Sequence, residues 1–232
     1  MLGFDTATDD TSVCAVRGGQ VLFESQLGPV PGGRPRHATG LLEAVEKAAA
    51  AAGGWTGVDR IAVGLGPGSF TGLRIAIATA RALGSSLDLP VAGACTLDAL
   101  GHGIRERGGE RTVLAVLDAR RGEVFAALYS PGGERLWEPS VLPPADLAER
   151  AAALPASPLA AGSGAVRFRD ELVGRGVEVP YDADPVHRVA ARHVCAVAAA
   201  VGNTGDGGPA PIYLRPPDAE RWRERDSFQR AK

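Results

Sequence analysis

Residues 61–83 alternate between apolar runs and a glycine-rich break. The run at 61–64 is short, apolar and rich in β-branched side chains, which predicts a buried strand. The glycines and proline at 66–68 end this strand. Residues 73–83 are apolar on nearly every side, so we predict a helix that protein covers on most of its circumference. The other predicted strands and helices precede or follow this strand, turn and helix.

The same pattern analysis divides the chain into two halves of similar element order. In the first half we predict strands at 2–4, 11–17, 20–26, 58–64 and 90–94, with helices at 37–52 and 71–85. In the second half we predict strands at 112–119, 123–129, 135–141, 159–162 and 177–179, with helices at 146–153, 165–172 and 187–201. The repeated β-β-β-α-β-α order predicts an α/β protein of two domains that share one topology. We place them at residues 1–100 and 101–210, followed by a charged tail at 211–232.

Composition and charge exclude several classes of protein. Hydrophobic residues make up 45% of the chain and charged residues 22%, which is typical of a globular protein. The net charge of −2 gives no general attraction to nucleic acid or to a membrane surface. The N-terminal sequence MLGFDTATDD lacks the basic and apolar regions of an export signal. Cys14, Cys95 and Cys195 are widely spaced, so we expect reduced, buried thiols and a cytoplasmic protein.

Two aspartates and two glycines are candidates for nucleotide binding. Asp5 and Asp118 end equivalent strands, and in a two-domain cleft they could hold a metal–phosphate group. Each could instead stabilise its own turn through backbone hydrogen bonds. Gly162 and Gly164 precede a predicted helix and could contact a nucleotide or form a plain turn. The sequence GPGSFTG at 66–72 likewise allows a tight turn or a phosphate site, because it matches neither common phosphate-loop pattern.

The four histidines do not form a recognisable metal motif. His187 and His193 lie six residues apart, which does not place them on one helical face, and His37 and His102 are isolated in sequence. No serine, histidine and aspartate have the spacing of a nucleophile elbow. We therefore expect no metal ligands among the histidines and no nucleophilic catalysis.

Four sequence blocks resemble the bacterial TsaB (YeaZ) family. They are FDTAT at 4–8, GLGPGSFTGLR at 64–74, DARRGEVF at 118–125 and PIYLR at 211–215. The resemblance implies the two-lobed actin-like (ASKHA, ribonuclease H-like) fold, in agreement with the duplicated element order. It also implies membership of the complex that forms threonylcarbamoyladenosine next to the anticodon of tRNAs reading codons that begin with A.

The resemblance further implies a non-catalytic role. In that family the transfer is carried out by a paralogue, TsaD, with an ATPase, TsaE, and TsaB is the dimerising subunit. We therefore expect no intrinsic cofactor, with ATP and metal on the partner subunits, only indirect contact with tRNA and none with a membrane. The two histidines that hold the metal of TsaD align with Thr96 and Leu100 here, and neither side chain offers an imidazole nitrogen.

The resemblance also implies a partner surface on the first-lobe helices. These helices pack on the matching helices of TsaD, or on a second copy of the chain when TsaD is absent. The residues expected there are Leu41, Leu42, Val45, Leu73, Ala76, Ile77 and Ala80. The same residues could instead fill the core of their own lobe. Two other functions stay open: a stand-alone ASKHA-type ATPase or kinase using Asp5, Asp118 and the glycine turn, and a tRNA-binding module, against which the balanced charge argues.

Overall fold

The computed structural model describes residues 1–30, 33, 35–201 and 208–215. Its first sheet contains β1 (Leu2–Asp5), β2 (Thr11–Arg17), β3 (Gln20–Leu27), β4 (Ile61–Gly64) and β5 (Val91–Ala94), in the order β3-β2-β1-β4-β5. The first three strands are antiparallel, with Gly3 opposite Cys14. β4 pairs parallel with both β1 and β5, as crossover connections through helices require.

The second sheet repeats this arrangement. It contains β6 (Val113–Asp118), β7 (Val124–Tyr129), β8 (Arg135–Leu142) and β9 (Leu159–Ala161), in the order β8-β7-β6-β9. β6, β7 and β8 are antiparallel, and β9 runs parallel to β6. Each sheet therefore starts with a three-stranded meander whose first strand then pairs parallel with a later one. The duplicated topology predicted from the sequence is confirmed.

Two helices cover the outer face of the first sheet. They are α1 (His37–Ala51) and α2 (Phe70–Leu87). Buried side chains of both helices, such as Val45 and Ile77, pack in one cluster with Phe4 and Ile61 of the sheet. Ser69 caps α2, because its Oγ accepts a hydrogen bond from the backbone N–H of Gly72.

The remaining helices are α3 (Thr96–Gly108), α4 (Pro144–Ala152), α5 (Ser163–Arg167), α6 (Arg169–Val173) and α7 (Ala191–Val201). α4, α5 and α6 pack on the outer face of the second sheet. Between the two sheets lies a shared core, in which α7 packs on the first sheet and α3 packs on the second, with the two helices in contact. We call the first sheet with α1, α2 and α7 the first lobe, and the second sheet with α3–α6 the second lobe.

The packing of α3 and α7 does not follow the predicted bounds of 1–100 and 101–210. α3 begins before residue 100 and packs on the second sheet, whereas α7 lies beyond residue 101 and packs on the first. The chain enters the second lobe at α3 and returns to the first lobe at α7. Because α3 and α7 meet in the core between the sheets, the two lobes are joined there. A single boundary in the sequence therefore does not separate them.

Helix α3 is absent from the sequence-based prediction. It contains Gly101 and Gly103, and glycine inside a helix costs about 1 kcal/mol relative to alanine. Packing explains both residues. A Cβ at position 101 would lie 2.6 Å from the ring of Tyr129, and one at 103 would lie 2.9 Å from the ring of His193.

Three further predictions need correction. The predicted strand at 177–179 is a single bridge between Leu159 and Glu178. The predicted helix at 165–172 is divided between α5 and α6, and the predicted helix at 187–201 begins at Ala191, after a short 3₁₀ turn at Pro185–His187. Most of the predicted tail, residues 216–232, lies outside the described residues. In the ranges that are described, no helix has both the length and the apolar character needed to cross a bilayer.

Candidate functional site

A cavity of about 960 Å³ lies between the two lobes. Four segments supply most of its lining: the turn after β1 at 7–10, the start of α2 at 67–70, the turn after β6 at 118–121, and the C-terminal segment at 212–215. The first two belong to the first lobe and the third to the second lobe. In a duplicated fold the two turns occupy equivalent places, so each lobe presents its first β-turn to the cavity.

Asp5 ends β1 but does not line this cavity. Its side chain is 1% exposed, and its Oδ1 accepts a hydrogen bond from the N–H of Ala7 at 2.7 Å. Its Oδ2 accepts another from the hydroxyl of Thr96 at 2.8 Å. Burial raises the pKa of Asp5, and these two hydrogen bonds oppose the rise. Asp5 therefore joins β1 to the start of α3, and neither of its oxygens is offered to a ligand in the cavity.

Asp118, by contrast, lies at the cavity wall. Its Oδ1 accepts a hydrogen bond from the N–H of Arg120 at 2.8 Å, which stabilises the turn. Its Oδ2 forms an ion pair with Arg167 at 2.7 Å. Arg120 and Arg121 both have positive φ values, 62° and 57°, which non-glycine residues rarely adopt. The carboxylate of Asp118 is thus engaged by its own turn and by α5.

The glycines at 162 and 164 are explained by close packing on β6. A Cβ at Gly162 would lie 2.1 Å from the carbonyl oxygen of Val116, and its φ of 120° also requires glycine. A Cβ at Gly164 would lie 2.8 Å from the carbonyl carbon of Leu117. The N–H of Gly162 donates to Nδ1 of His187. Of the four predicted nucleotide-binding residues, Asp118 alone is among the described residues that line the cavity.

An ion pair connects the two lobes across the cavity. The guanidinium of Arg120 bonds both carboxylate oxygens of Asp9, at 2.7 and 2.8 Å. The turn after β6 is therefore paired directly with the turn after β1. Arg188 adds a second ion pair, with Asp10 at 2.7 Å. Because Arg120 and Asp9 are 60% and 47% exposed, their pair orients the turns more than it stabilises the fold.

The C-terminal segment at 212–215 contacts both lobes. The N–H of Ile212 donates to the carbonyl oxygen of Leu65 at the end of β4. At its other end, Arg215 forms an ion pair with Glu123 at 2.6 Å and donates to the carbonyl oxygen of Ala119. The segment lies along the cavity and connects the end of β4 with the turn that leads into β7. In the sequence this segment falls within the predicted charged tail, and the block PIYLR drew notice only through the family resemblance.

Comparison with known proteins identifies the family. The family model described as "TsaD: tRNA N6-adenosine threonylcarbamoyltransferase" matches residues 24–199. The Escherichia coli protein named tRNA threonylcarbamoyladenosine biosynthesis protein TsaB is 34% identical, over 71% of this chain and 71% of that protein. YeaZ from Pseudomonas aeruginosa is 31% identical, with a TM-score of 0.74 over 92% of this chain and 98% of that structure. The chain belongs to the TsaB family.

The TsaB assignment confirms the resemblance noted in the sequence, and the actin-like fold is confirmed as well. A ROK hexokinase from Thermus thermophilus superimposes with a TM-score of 0.50 over 87% of this chain and 98% of its own. Its 14% identity limits that comparison to the fold. The chain thus shares its two-lobed fold with this hexokinase. Its two cavity-facing turns are joined by the ion pair between Arg120 and Asp9.

The structure places six of the seven predicted partner residues in the core of the first lobe. All six are at most 5% exposed: Leu41, Val45, Leu73, Ala76, Ile77 and Ala80. Leu42 is the exception, at 59% exposed. The apolar stripes of α1 and α2 face the sheet. The apolar spacing in the sequence therefore identified the buried faces of these helices. The outer faces present Leu42 from α1, and Ala78 and Ala82 from α2.

The sequence-based prediction for the histidines also needs correction. Thr96 and Leu100 are both buried. His102 is not isolated, because its Nδ1 lies 3.2 Å from Nδ1 of His193. The carboxylate of Glu106 lies 3.7 Å from the first nitrogen and 3.8 Å from the second. The sequence did not reveal this group, because it depends on the contact between α3 and α7.

Proposed function

We propose that the chain is a non-catalytic activator subunit in the biosynthesis of threonylcarbamoyladenosine on tRNA, and that it acts by binding TsaD. The names of its TsaB relatives support the pathway. The match to the TsaD family model supports a partner of the same fold. TsaE and tRNA are reached through that complex, since a net charge of −2 gives the chain no general affinity for nucleic acid.

The state of Asp5 carries the non-catalytic part of the proposal. A kinase-like reaction needs a carboxylate that can hold a metal–phosphate group in the cleft. Asp5 is buried and accepts hydrogen bonds from Ala7 and Thr96. Burial also raises the pKa of its carboxyl group. Asp118 is engaged by Arg167 and by its own turn. These contacts support a non-catalytic role over a stand-alone ATPase or kinase.

The outer faces of α1 and α2 are the proposed partner surface. Leu42 supplies an exposed apolar side chain, and the small Ala78 and Ala82 allow a second helix to approach closely. On α1, Glu46 is exposed and Glu43 is paired with Lys47 at 2.7 Å, whereas exposed Arg74 and Arg81 lie on α2. In a two-fold pairing of related helices, α1 of one chain can meet α2 of the other with complementary charge. The same geometry allows a homodimer when TsaD is absent.

The proposal is tested by reconstitution with purified TsaD and TsaE. We expect Leu42→Glu and Ala78→Arg to abolish co-elution with TsaD and formation of threonylcarbamoyladenosine, with unfolding midpoints like that of the parent chain. Leu136→Glu is the matched control, because Leu136 is 49% exposed on β8 of the other lobe. Full activity of both surface variants would refute the interface. Magnesium-dependent ATP turnover by the purified chain alone, lost in Asp118→Asn, would refute the non-catalytic role.

A further inference from the structure

His102, Glu106 and His193 bring three metal-binding groups together on the side of the protein away from the cavity between the lobes. His102 and Glu106 are one helical turn apart on α3, so their side chains share a face. His193 comes from α7. The nitrogen and oxygen atoms concerned all lie within 4.8 Å of one another. We propose that these three residues form a binding site for a divalent transition-metal ion, with zinc as the best fit.

The distances match those that one tetrahedral ion imposes. With Zn–N bonds of 2.0–2.1 Å, two imidazole nitrogens on one tetrahedral zinc lie about 3.3 Å apart. The two Nδ1 atoms are separated by 3.2 Å. The Glu106 oxygen, at 3.7 and 3.8 Å from them, needs to move by only about half an ångström to coordinate the same ion. Glu106 is 55% exposed and is free to make this adjustment.

The ligand set also fits a transition metal. Two imidazoles and one carboxylate form a common protein set for zinc, with the fourth position left to water. Each histidine can offer the lone pair of its Nδ1 to the ion, since these two atoms already face each other at 3.2 Å. The group borders a second cavity of about 590 Å³, which leaves room for the water ligand.

The surrounding charges permit a cation. Two basic side chains act on the histidines, Arg105 on α3 and Arg192 on α7. Arg105 donates to the carbonyl oxygen of Pro131, and Glu24 neutralises Arg192 at 2.6 Å. The N-terminal amine of Met1 borders the same cavity and is paired with Asp59 at 3.1 Å. Met1 precedes β1 at the end opposite to Asp5, so this site is separate from the cavity between the lobes. A bound ion would fasten α3 of the second lobe to α7 of the first.

The test is titration of the untagged, chelator-treated chain with Zn²⁺ by calorimetry. We expect one ion per chain, a higher unfolding temperature with Zn²⁺, and no such change with Mg²⁺. Co²⁺ is expected to give the intense visible absorption of a four-coordinate site. Glu106→Gln should weaken zinc binding at least tenfold while leaving the metal-free unfolding midpoint unchanged, and His102→Ala should weaken zinc binding at least as much. Glu110→Gln, just beyond the end of α3, is the matched control and should bind as the parent chain does.

Two results would overturn the site. One is absence of stoichiometric Zn²⁺ binding by the parent chain, which would leave a plain hydrogen bond between the two imidazoles. The other is binding that persists in His102→Ala and Glu106→Gln but is lost in Cys195→Ala. Cys195 borders the same cavity, with its Sγ 3.4 Å from that of Cys14, so that outcome would assign the ion to the thiols. Neither result depends on whether the chain activates TsaD.

Discussion

The hydroxyl of Thr96, at the start of α3, donates a hydrogen bond to Oδ2 of Asp5, at the end of β1. The same Oγ1 accepts a hydrogen bond from the N–H of Gly66, so Thr96 connects β1, the glycine turn and α3. Thr96 thus holds a buried carboxylate in place.

This carboxylate predicts a specific pH dependence of stability. The pKa of Asp5 is raised above its ordinary value of 3.8 in the folded chain, so the folded state favours the protonated form. Its stabilising contribution is complete below pH 3.8 and is lost as the pH rises through the folded-state pKa. Asp5→Asn removes this titration. The free energy of unfolding of the parent chain, minus that of Asp5→Asn, should therefore fall with increasing pH in urea titrations. An increase with pH would contradict the assignment.

The glycines of the GPGSFTG turn predict a second result. A Cβ at Gly72 would lie 1.9 Å from the carbonyl oxygen of Thr6, whose hydroxyl donates to the Gly72 carbonyl at 2.7 Å. α2 therefore starts in direct backbone contact with the turn after β1. Gly72→Ala should lower the free energy of unfolding by about 2 kcal/mol, because overpacking outweighs the gain in helix propensity. Thr71→Ala, at the exposed neighbouring position, should change it by less than about 0.5 kcal/mol.

The duplicated fold could be predicted because its signals are local. Strand alternation and glycine turns repeat in both halves, and the sheets reproduce that order. Helix α3 could not be predicted in the same way, since Gly101 and Gly103 weaken the local signal and are explained only by the rings of Tyr129 and His193. Tertiary packing thus overrides local propensity at this element. Because α3 was missed, the pairing of His102 with His193 was missed too.

Six predicted partner residues lie in the core of the first lobe for a different reason. Apolar spacing identifies which helix face is buried, but it does not say whether its own sheet or a partner covers that face. Leu41 and Val45 therefore looked like interface residues and are core residues. Gly162 and Gly164 precede a helix and could have contacted a nucleotide or formed a plain turn, and the approach of α5 to β6 accounts for both glycines. Sequence patterns alone do not distinguish these alternatives.

Two adjacent residues of α1 separate the core from the proposed interface. Leu41 is 1% exposed, and Leu42 is 59% exposed. Leu41→Glu would bury an unpaired carboxylate and should lower the free energy of unfolding by about 4 kcal/mol. Leu42→Glu should change it by less than about 0.5 kcal/mol and weaken only the complex with TsaD. Thermal unfolding together with size-exclusion chromatography distinguishes the two effects. Equal destabilisation by both substitutions would contradict the burial pattern.

The C-terminal segment predicts a stability effect far from α1. Arg215 is half as exposed as the Glu123 with which it pairs, 17% against 35%, and it also donates to the carbonyl of Ala119. Because a hydrogen bond to a charged group contributes about 1.5–3 kcal/mol, Arg215→Ala should lower the free energy of unfolding in urea by about that amount. Arg215→Lys should restore part of the loss, since lysine keeps the charge but not the several N–H donors of the guanidinium.

Arg175→Ala is the control, because Arg175 and its partner Glu149 are 50% and 64% exposed. Their ion pair should contribute less than about 1 kcal/mol. If Arg215→Ala costs no more than Arg175→Ala, the segment at 212–215 does not connect the lobes in solution.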